Sequence, residues 1–215
     1  MNIKKNKSIK KIYDKYLNLK SSLYNRYIIL DYEKKRALIL QHTDTSQKHN
    51  IFIETGTFLG DTVDLLKNDF NQLISFELSE ELATKAQNRF ADIPKIKILA
   101  GDSGKLLAGV LKEIHEPCLF WLDGHYSSEF WMDNQYIKTA KGEKETPVLE
   151  ELESILSHPV KNHIILIDDA RCFNGKGDYP KIKEIRAQIK NTAPNYRVKV
   201  KNDIIRITPE NETNN

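Results

Sequence analysis

Cysteine is scarce: the 215 residues hold only Cys118 and Cys172. That is too few for a disulfide framework, and no zinc-ligand spacing accompanies them. Both lie in or beside apolar segments and read as reduced packing residues. No apolar run approaches the ~20 residues that cross a bilayer, so no membrane span is expected. The lysine-rich N-terminus has no apolar signal core, and the expected location is cytoplasmic. Charge of one sign is not in large excess either. The net charge of +3 is weak evidence for any polyanionic partner, and no glycine-arginine repeat is present. Nucleic acid is therefore not an expected partner. One local exception stands: Lys4, Lys5, Lys7, Lys10, Lys11, Lys15 and Lys20 face only Asp14. They read as a solvated helix face, with a nucleic-acid or anionic-membrane contact as the alternative.

A hydrophobic fraction of 40% beside a charged fraction of 29% is the balance of one globular domain with a full core. Ile9, Ile12, Tyr13, Tyr16 and Leu17 recur at helical spacing. A second apolar stretch runs from Leu23 to Leu40. Residues 1–49 are thus expected to form a helical extension, packed on the main domain or on a second copy of the chain. The main domain is expected over 50–209, with a polar tail at 210–215.

From Ile51 onward strands and helices alternate. The spacing predicts strands at Ile51–Glu54, Leu73–Glu77, Ile96–Ala100, Cys118–Leu122 and His163–Ile167. It predicts helices at Asp61–Asn68, Ser79–Phe90, Ser103–Ile114 and Pro147–Ser157. Runs such as Cys118-Leu119-Phe120-Trp121-Leu122 are continuously apolar, as in parallel strands covered on both faces. A last helix is predicted from Tyr179 to Asn191. Tyr196–Lys201 and Ile204–Thr208, joined by Asn202-Asp203, form an expected antiparallel hairpin. The fold class is α/β: a Rossmann-like, doubly wound, mostly parallel seven-stranded sheet ending in a hairpin. That outline resembles the class I methyltransferase fold.

The chemistry-bearing residues fall at predicted strand ends, where open α/β sheets bind ligands. Glu54-Thr55-Gly56-Thr57-Phe58-Leu59-Gly60 is a strand end, a glycine turn and a helix start. Glu77 closes the next strand, where an acid accepts bonds from two ribose hydroxyls. Asp102-Ser103 follows the third, placed to hold an adenine amino group. Each acid alone could merely cap the following helix. The turn also departs from G-x-G-x-x-G, because Glu54 would repel a pyrophosphate. A cofactor with a positive end and no phosphate fits better, and S-adenosylmethionine is one. Here the chain resembles the S-adenosylmethionine-dependent methyltransferases over Asn50 to Pro209. The resemblance implies a cofactor set of Glu54, Thr55, Gly56, Thr57, Gly60, Glu77, Asp102, Ser103 and Asp123.

Asp123 ends the fourth predicted strand and Asp168-Asp169 the fifth. Three gathered carboxylates would destabilise one another unless a cation joined them, and Mg²⁺ or another divalent ion takes such ligands. Both members of the pair can reach one ion only if the backbone leaves the pleat at Asp168. An acidic turn capping the next helix is the alternative. The arrangement resembles the metal-dependent O-methyltransferases, and most closely the macrocin O-methyltransferase group, which acts on sugar hydroxyls. It implies Asp123, Asp168 and Asp169 as metal ligands and a carbohydrate acceptor. Catechol-type enzymes carry asparagine at the last position, where this chain has Asp169.

His125 is the candidate base beside Asp123, or else a hydrogen-bonding loop residue. Tyr126 and Arg171 are candidate substrate contacts, and Arg171 could instead pair with an aspartate. The connection from His125 to Thr146 carries several aromatics that would suit a ring-shaped acceptor, or would simply pack on the domain. Three alternatives stay open: a metal-independent small-molecule methyltransferase, an RNA methyltransferase, and a non-catalytic cofactor-binding or assembly protein.

Overall fold

A computed structural model of the chain describes residues 32–43, 49–126, 129–132 and 135–210. The helix expected around Ile9 to Leu17 and the tail beyond Glu210 lie outside these residues. The chain divides into units of residues 1–35 and 36–215, and the second carries everything below.

Helix α1 (Tyr32–Leu40) ends in the second unit, where Leu38 and Ile39 are buried and Arg36 pairs with Asp69 at 2.5 Å. The alternation then runs β1 (Ile51–Thr55), α2 (Asp61–Leu66), β2 (Gln72–Glu77), α3 (Glu80–Arg89), β3 (Ile96–Ala100), α4 (Ser103–Leu111) and β4 (Cys118–Leu122). After it come β5 (Glu129–Met132), β6 (Gln135–Lys138), α5 (Val148–Ser157) and β7 (Ile164–Ile167). A short 3₁₀ turn (Ala170–Cys172), α6 (Ile182–Thr192), β8 (Tyr196–Lys201) and β9 (Ile204–Pro209) complete the chain.

Seven strands form one sheet in the order β3-β2-β1-β4-β7-β9-β8. The first five are parallel; β9 alone runs the other way, antiparallel to β7 on one side and to β8 on the other. Strands β1, β4 and β7 are buried at every residue, which explains the unbroken apolar sequences of β4 and β7. The edge strand β3 instead alternates. Residues of one strand face opposite sides in turn. Ile53, Phe76, Phe120, Ile165 and Ile207 therefore share one core with Leu107 of α4, Leu152 of α5 and Ile185 of α6. Phe52 and Trp121, on the other parity, are fully buried too, and Phe52 meets Phe70 at 5.2 Å.

Several boundaries differ from expectation for local reasons. Ser79 caps α3 from outside it, accepting the Leu82 N–H, with Glu80 and Glu81 in the first turn. Helix α6 begins at Ile182, not Tyr179; the Glu184 carboxylate accepts the Lys181 N–H at 2.9 Å and fixes the start there. The long connection is not a plain loop. It contains the antiparallel ribbon β5–β6, which pairs Glu129 with Lys138 and Met132 with Gln135.

The N-terminal ends of the strands hold a buried histidine group. The His163 Nδ1 atom accepts the Cys118 N–H at 3.0 Å, and its Nε2 lies 2.9 Å from His158 Nδ1. His49 Nε2 lies 2.9 Å from the Asn162 carbonyl. None of the described helices is long and apolar enough to cross a membrane.

Candidate functional site

Sheet register builds the site. Thr55 lies opposite Phe76 and Leu122, and Leu122 lies opposite Ile167. The next residues, Gly56, Asp123 and Asp168, therefore emerge together at the carboxyl edge. Strand order reverses between β1 and β4, and a crevice at that point is where such sheets take ligands. A cavity of about 410 Å³ opens there. Its walls include Gly56, Phe58, Glu77, Asp102, Ser103, Asp123, His125, Tyr126, Asp168 and Asp169.

One half is built around the glycine turn. Gly56 has φ 85°, and a Cβ there would lie 2.5 Å from the Asp123 carbonyl oxygen. Only glycine lets β1 turn this close to the segment after β4. Glu77 accepts the N–H groups of Phe58 at 2.7 Å and Ser79 at 2.9 Å. Burial nevertheless raises its pKa, against those backbone bonds. Phe58 holds φ 50°, a left-handed conformation that a bulky residue rarely adopts. Asp102 Oδ1 accepts the Gly104 N–H at 3.0 Å, so it caps α4 while its residue also lines the cavity.

Not every expected cofactor residue reaches this space. Glu54 is 1% exposed, accepts the Ser75 hydroxyl at 2.7 Å and does not line the cavity. Thr57 meets the same serine at 2.6 Å, behind the turn. Gly60 heads α2, and Thr55 faces inward below the cavity floor. The strand period accounts for Glu54, which points to the same side as Phe52.

The other half is ionic. Asp123 Oδ1 lies 3.2 Å from His125 Nδ1, and Asp169 Oδ2 lies 3.3 Å from His125 Nε2. Burial opposes charge on His125, but its bond to Asp123 and the fields of Asp123, Asp169 and Asp168 outweigh it, and its pKa rises. Burial also raises the Asp169 pKa, with His125 and Arg171 pulling the other way. Asp169 has φ 56° and ψ 45°, and its N–H is donated to Asp168 Oδ1 at 2.8 Å. The chain thus leaves the pleat here and both carboxylates face one cavity. Arg171 Nη1 pairs with Asp169 at 2.7 Å and also with Asp203, so it is engaged in the protein's own ion pairs.

The donor set of Asp123, Asp168 and Asp169 has the chemistry of a divalent-ion site, but not its arrangement. Among the described residues no group of three or more His, Cys, Asp or Glu side chains is placed to hold a metal ion. His125 stands between two of the carboxylates, and Arg171 occupies Asp169 from outside.

Residues 139–145 contribute to the cavity wall. The Tyr126 N–H reaches the Glu145 carbonyl at 2.9 Å, and Lys105 holds Glu143 at 2.8 Å. Lys144 pairs with Glu150, and Lys141 Nζ lies 5.3 Å from the Tyr126 ring centre. Sequence reasoning also missed Glu151. It is 1% exposed beneath the cavity and accepts the Ser103 hydroxyl at 2.6 Å. Burial pushes its carboxyl up to about 7, against the bond from Ser103.

No protein-family model and no curated protein matches this chain. Solved structures do. An O-methyltransferase from Bacillus cereus in complex with SAH superposes with a TM-score of 0.56 at 14% identity, over 96% of this chain and 92% of that one. An S-adenosylmethionine-dependent methyltransferase from Clostridium acetobutylicum gives 0.54 at 12% identity, over 92% and 97%. A 23S rRNA methyltransferase gives 0.52 at 16% identity, over 86% and 71%. At such identities the likeness is one of fold: the architecture is that of the class I methyltransferases, with its terminal hairpin.

Proposed function

We propose that this protein transfers the methyl group of S-adenosylmethionine to a hydroxyl of a small molecule. One observation carries the reading. A single cavity at the strand-order reversal joins the Gly56 turn, Glu77 and Asp102 to the Asp123–His125–Asp169 cluster. The first group suits a ribose and an adenine; the second suits a hydroxyl that must lose a proton. The fold is shared with an O-methyltransferase and with an rRNA methyltransferase, so the fold does not choose the acceptor.

When bound, the cofactor supplies an electrophilic methyl group. Glu77 accepts the ribose hydroxyls, and Asp102 with the head of α4 meets the adenine. Transfer in line from sulfur to oxygen depends chiefly on alignment. Asp123 fixes the His125 ring through Nδ1. His125 Nε2 takes the proton released by the acceptor hydroxyl and shares it with Asp169. A sugar or glycosylated metabolite is the acceptor class assigned first, with Tyr126 offering a ring face at the cavity wall.

A divalent-cation-assisted variant is the second reading. It is favoured by the left-handed backbone of Asp169, which turns two consecutive carboxylates into one cavity. Asp123, Asp168 and Asp169 would hold the ion after His125 and Arg171 gave way, and the ion would lower the acceptor's pKa.

The test is calorimetric titration with S-adenosylmethionine and S-adenosylhomocysteine, followed by product detection over a panel of hydroxylated acceptors. The expected result is one site per chain, at least tenfold weaker binding in Glu77→Ala, and turnover abolished in His125→Ala. Absence of binding by either compound at millimolar concentration refutes the reading. Unchanged turnover in excess chelator removes the metal variant alone.

A further inference from the structure

The turn of the terminal hairpin reaches the ionic half of the cavity. Asn202 and Asp203 are the two residues between β8 and β9, at φ 55° and φ 60°. A two-residue turn with both φ values positive favours asparagine first and glycine second. Asn202 fits that pattern. Asp203 puts a carboxylate where glycine would sit with less strain. Its contacts fall on the segment that follows Asp169. The Asp203 Oδ1 atom accepts the Arg171 N–H at 2.8 Å, and Oδ2 pairs with Arg171 Nη1. The Asp203 carbonyl accepts the Ala170 N–H at 2.7 Å. Arg171 Nη1 also lies 2.7 Å from Asp169 Oδ1, while Asp169 Oδ2 faces His125. The Asp203 side chain is 9% exposed, against 46% for that of Arg171.

We propose that Asp203 is a positioning residue: it holds Arg171 against Asp169, closing one Asp169 oxygen to any other cation and leaving the second to His125. An exposed arginine has many rotamers, and one exposed ion pair restrains it little. Tied at its N–H and its Nη1 to a nearly buried carboxylate, Arg171 keeps a single arrangement. Without that tie the guanidinium leaves for solvent, and Asp169 becomes available, with Asp123 and Asp168, to a hard divalent ion. Neither Arg171 nor Asp203 lines the main cavity, so both act on the reacting groups only through Asp169. The proposal deepens the methyltransferase reading and rests on it for what Asp169 does in turnover, but not for the competition between Arg171 and a metal ion.

Calorimetric titration of the full chain with Mn²⁺ tests this without cofactor or acceptor. The wild type is expected to bind no tighter than millimolar. Asp203→Gly tolerates the positive φ and loses both carboxylate links to Arg171; its Mn²⁺ affinity should rise at least tenfold. In Asp203→Asn one oxygen becomes an NH₂ donor, so one link is lost whichever way the amide turns, and the rise should be smaller. Arg171→Met should gain at least as much as Asp203→Gly, and adding Asp203→Gly to it should gain nothing further, because the carboxylate acts through the arginine. Adding Asp169→Gly to Asp203→Gly should abolish the gain. Asn202→Gly, which relaxes the same turn and keeps the carboxylate, should bind as the wild type does. Submillimolar binding by the wild type, an unchanged Asp203→Gly, or a gain that survives Asp169→Gly overturns the proposal. Should Asp203→Gly fail to fold, Asp203→Asn and Arg171→Met decide it in the same way. A wild type that does not bind S-adenosylhomocysteine sinks the methyltransferase reading, while the Mn²⁺ comparison still decides the role of Asp203.

Discussion

Acid should weaken this protein through His163, by an amount that can be worked out. His163 is 2% exposed, and its Nδ1 accepts the Cys118 N–H. In the neutral ring the hydrogen must sit on Nε2, facing His158 Nδ1. A second proton on Nδ1 would point straight at a buried amide hydrogen. Burial therefore lowers the His163 pKa to about 3, helped by the charges of His158, His49 and Lys161, with a backbone contact at Val160 opposing. The unfolded chain takes up this proton near 6.5, whereas the folded chain refuses it. The resulting stability is complete above 6.5, erodes as pH falls below it, and is exhausted near 3. The loss is about 1.4 kcal/mol for each pH unit, hence about 2 kcal/mol at pH 5. His163→Asn removes the titration while its Oδ1 can still accept the Cys118 N–H. At pH 7.5 the variant should be about 1 kcal/mol less stable, having lost the bond to His158. Urea unfolding at pH 7.5 and pH 5 should show wild type losing about 2 kcal/mol more than His163→Asn. His42, whose pKa burial lowers to about 4, is present in both and cancels. Parallel losses in the two proteins would refute the assignment of the missing proton to His163.

Three further outcomes follow from geometry already given. Gly56→Ala places a methyl group 2.5 Å from the Asp123 carbonyl at φ 85°; it should lower the melting temperature and weaken S-adenosylhomocysteine binding at least tenfold by calorimetry. Phe120→Ala empties the fully buried centre of β4 and should cost about 3–5 kcal/mol in urea unfolding. Asp102→Ala removes the α4 cap and should cost about 1 kcal/mol, with adenosine-containing ligands losing affinity beyond that, measured by paired unfolding and binding titrations.

Much of this architecture is legible in the sequence, for definite reasons. The central strands announce themselves because burial on both faces demands continuous apolar runs, as in Cys118–Leu122. The start of the helix at Ser79–Phe90 is readable because a serine followed by two acids caps a helix by purely local chemistry. The terminal hairpin was readable because two residues between strands permit no crossover. Strand-end acids were also visible, but what each one faces was not. Glu54 looked like a ligand contact from its place beside a glycine turn, and its inward direction follows only from pairing with Ser75 on β2. Glu151 is, by sequence alone, one more acid in the first turn of a helix. Its bond comes from Ser103, remote in sequence and brought to it only by packing of α4 against α5. The ribbon β5–β6 was hidden because its strands have only four residues each.

The backbone at Asp169 limits what evolution or a designer can put there. At φ 56° and ψ 45°, β-branched and bulky side chains are strained, whereas asparagine, aspartate and glycine are tolerated. A library at this codon therefore collapses to a few viable members. Among them asparagine differs from the resident residue by one charge and almost no volume. The polarity of the cavity can in this way be retuned by a single nucleotide change that leaves the chain path intact.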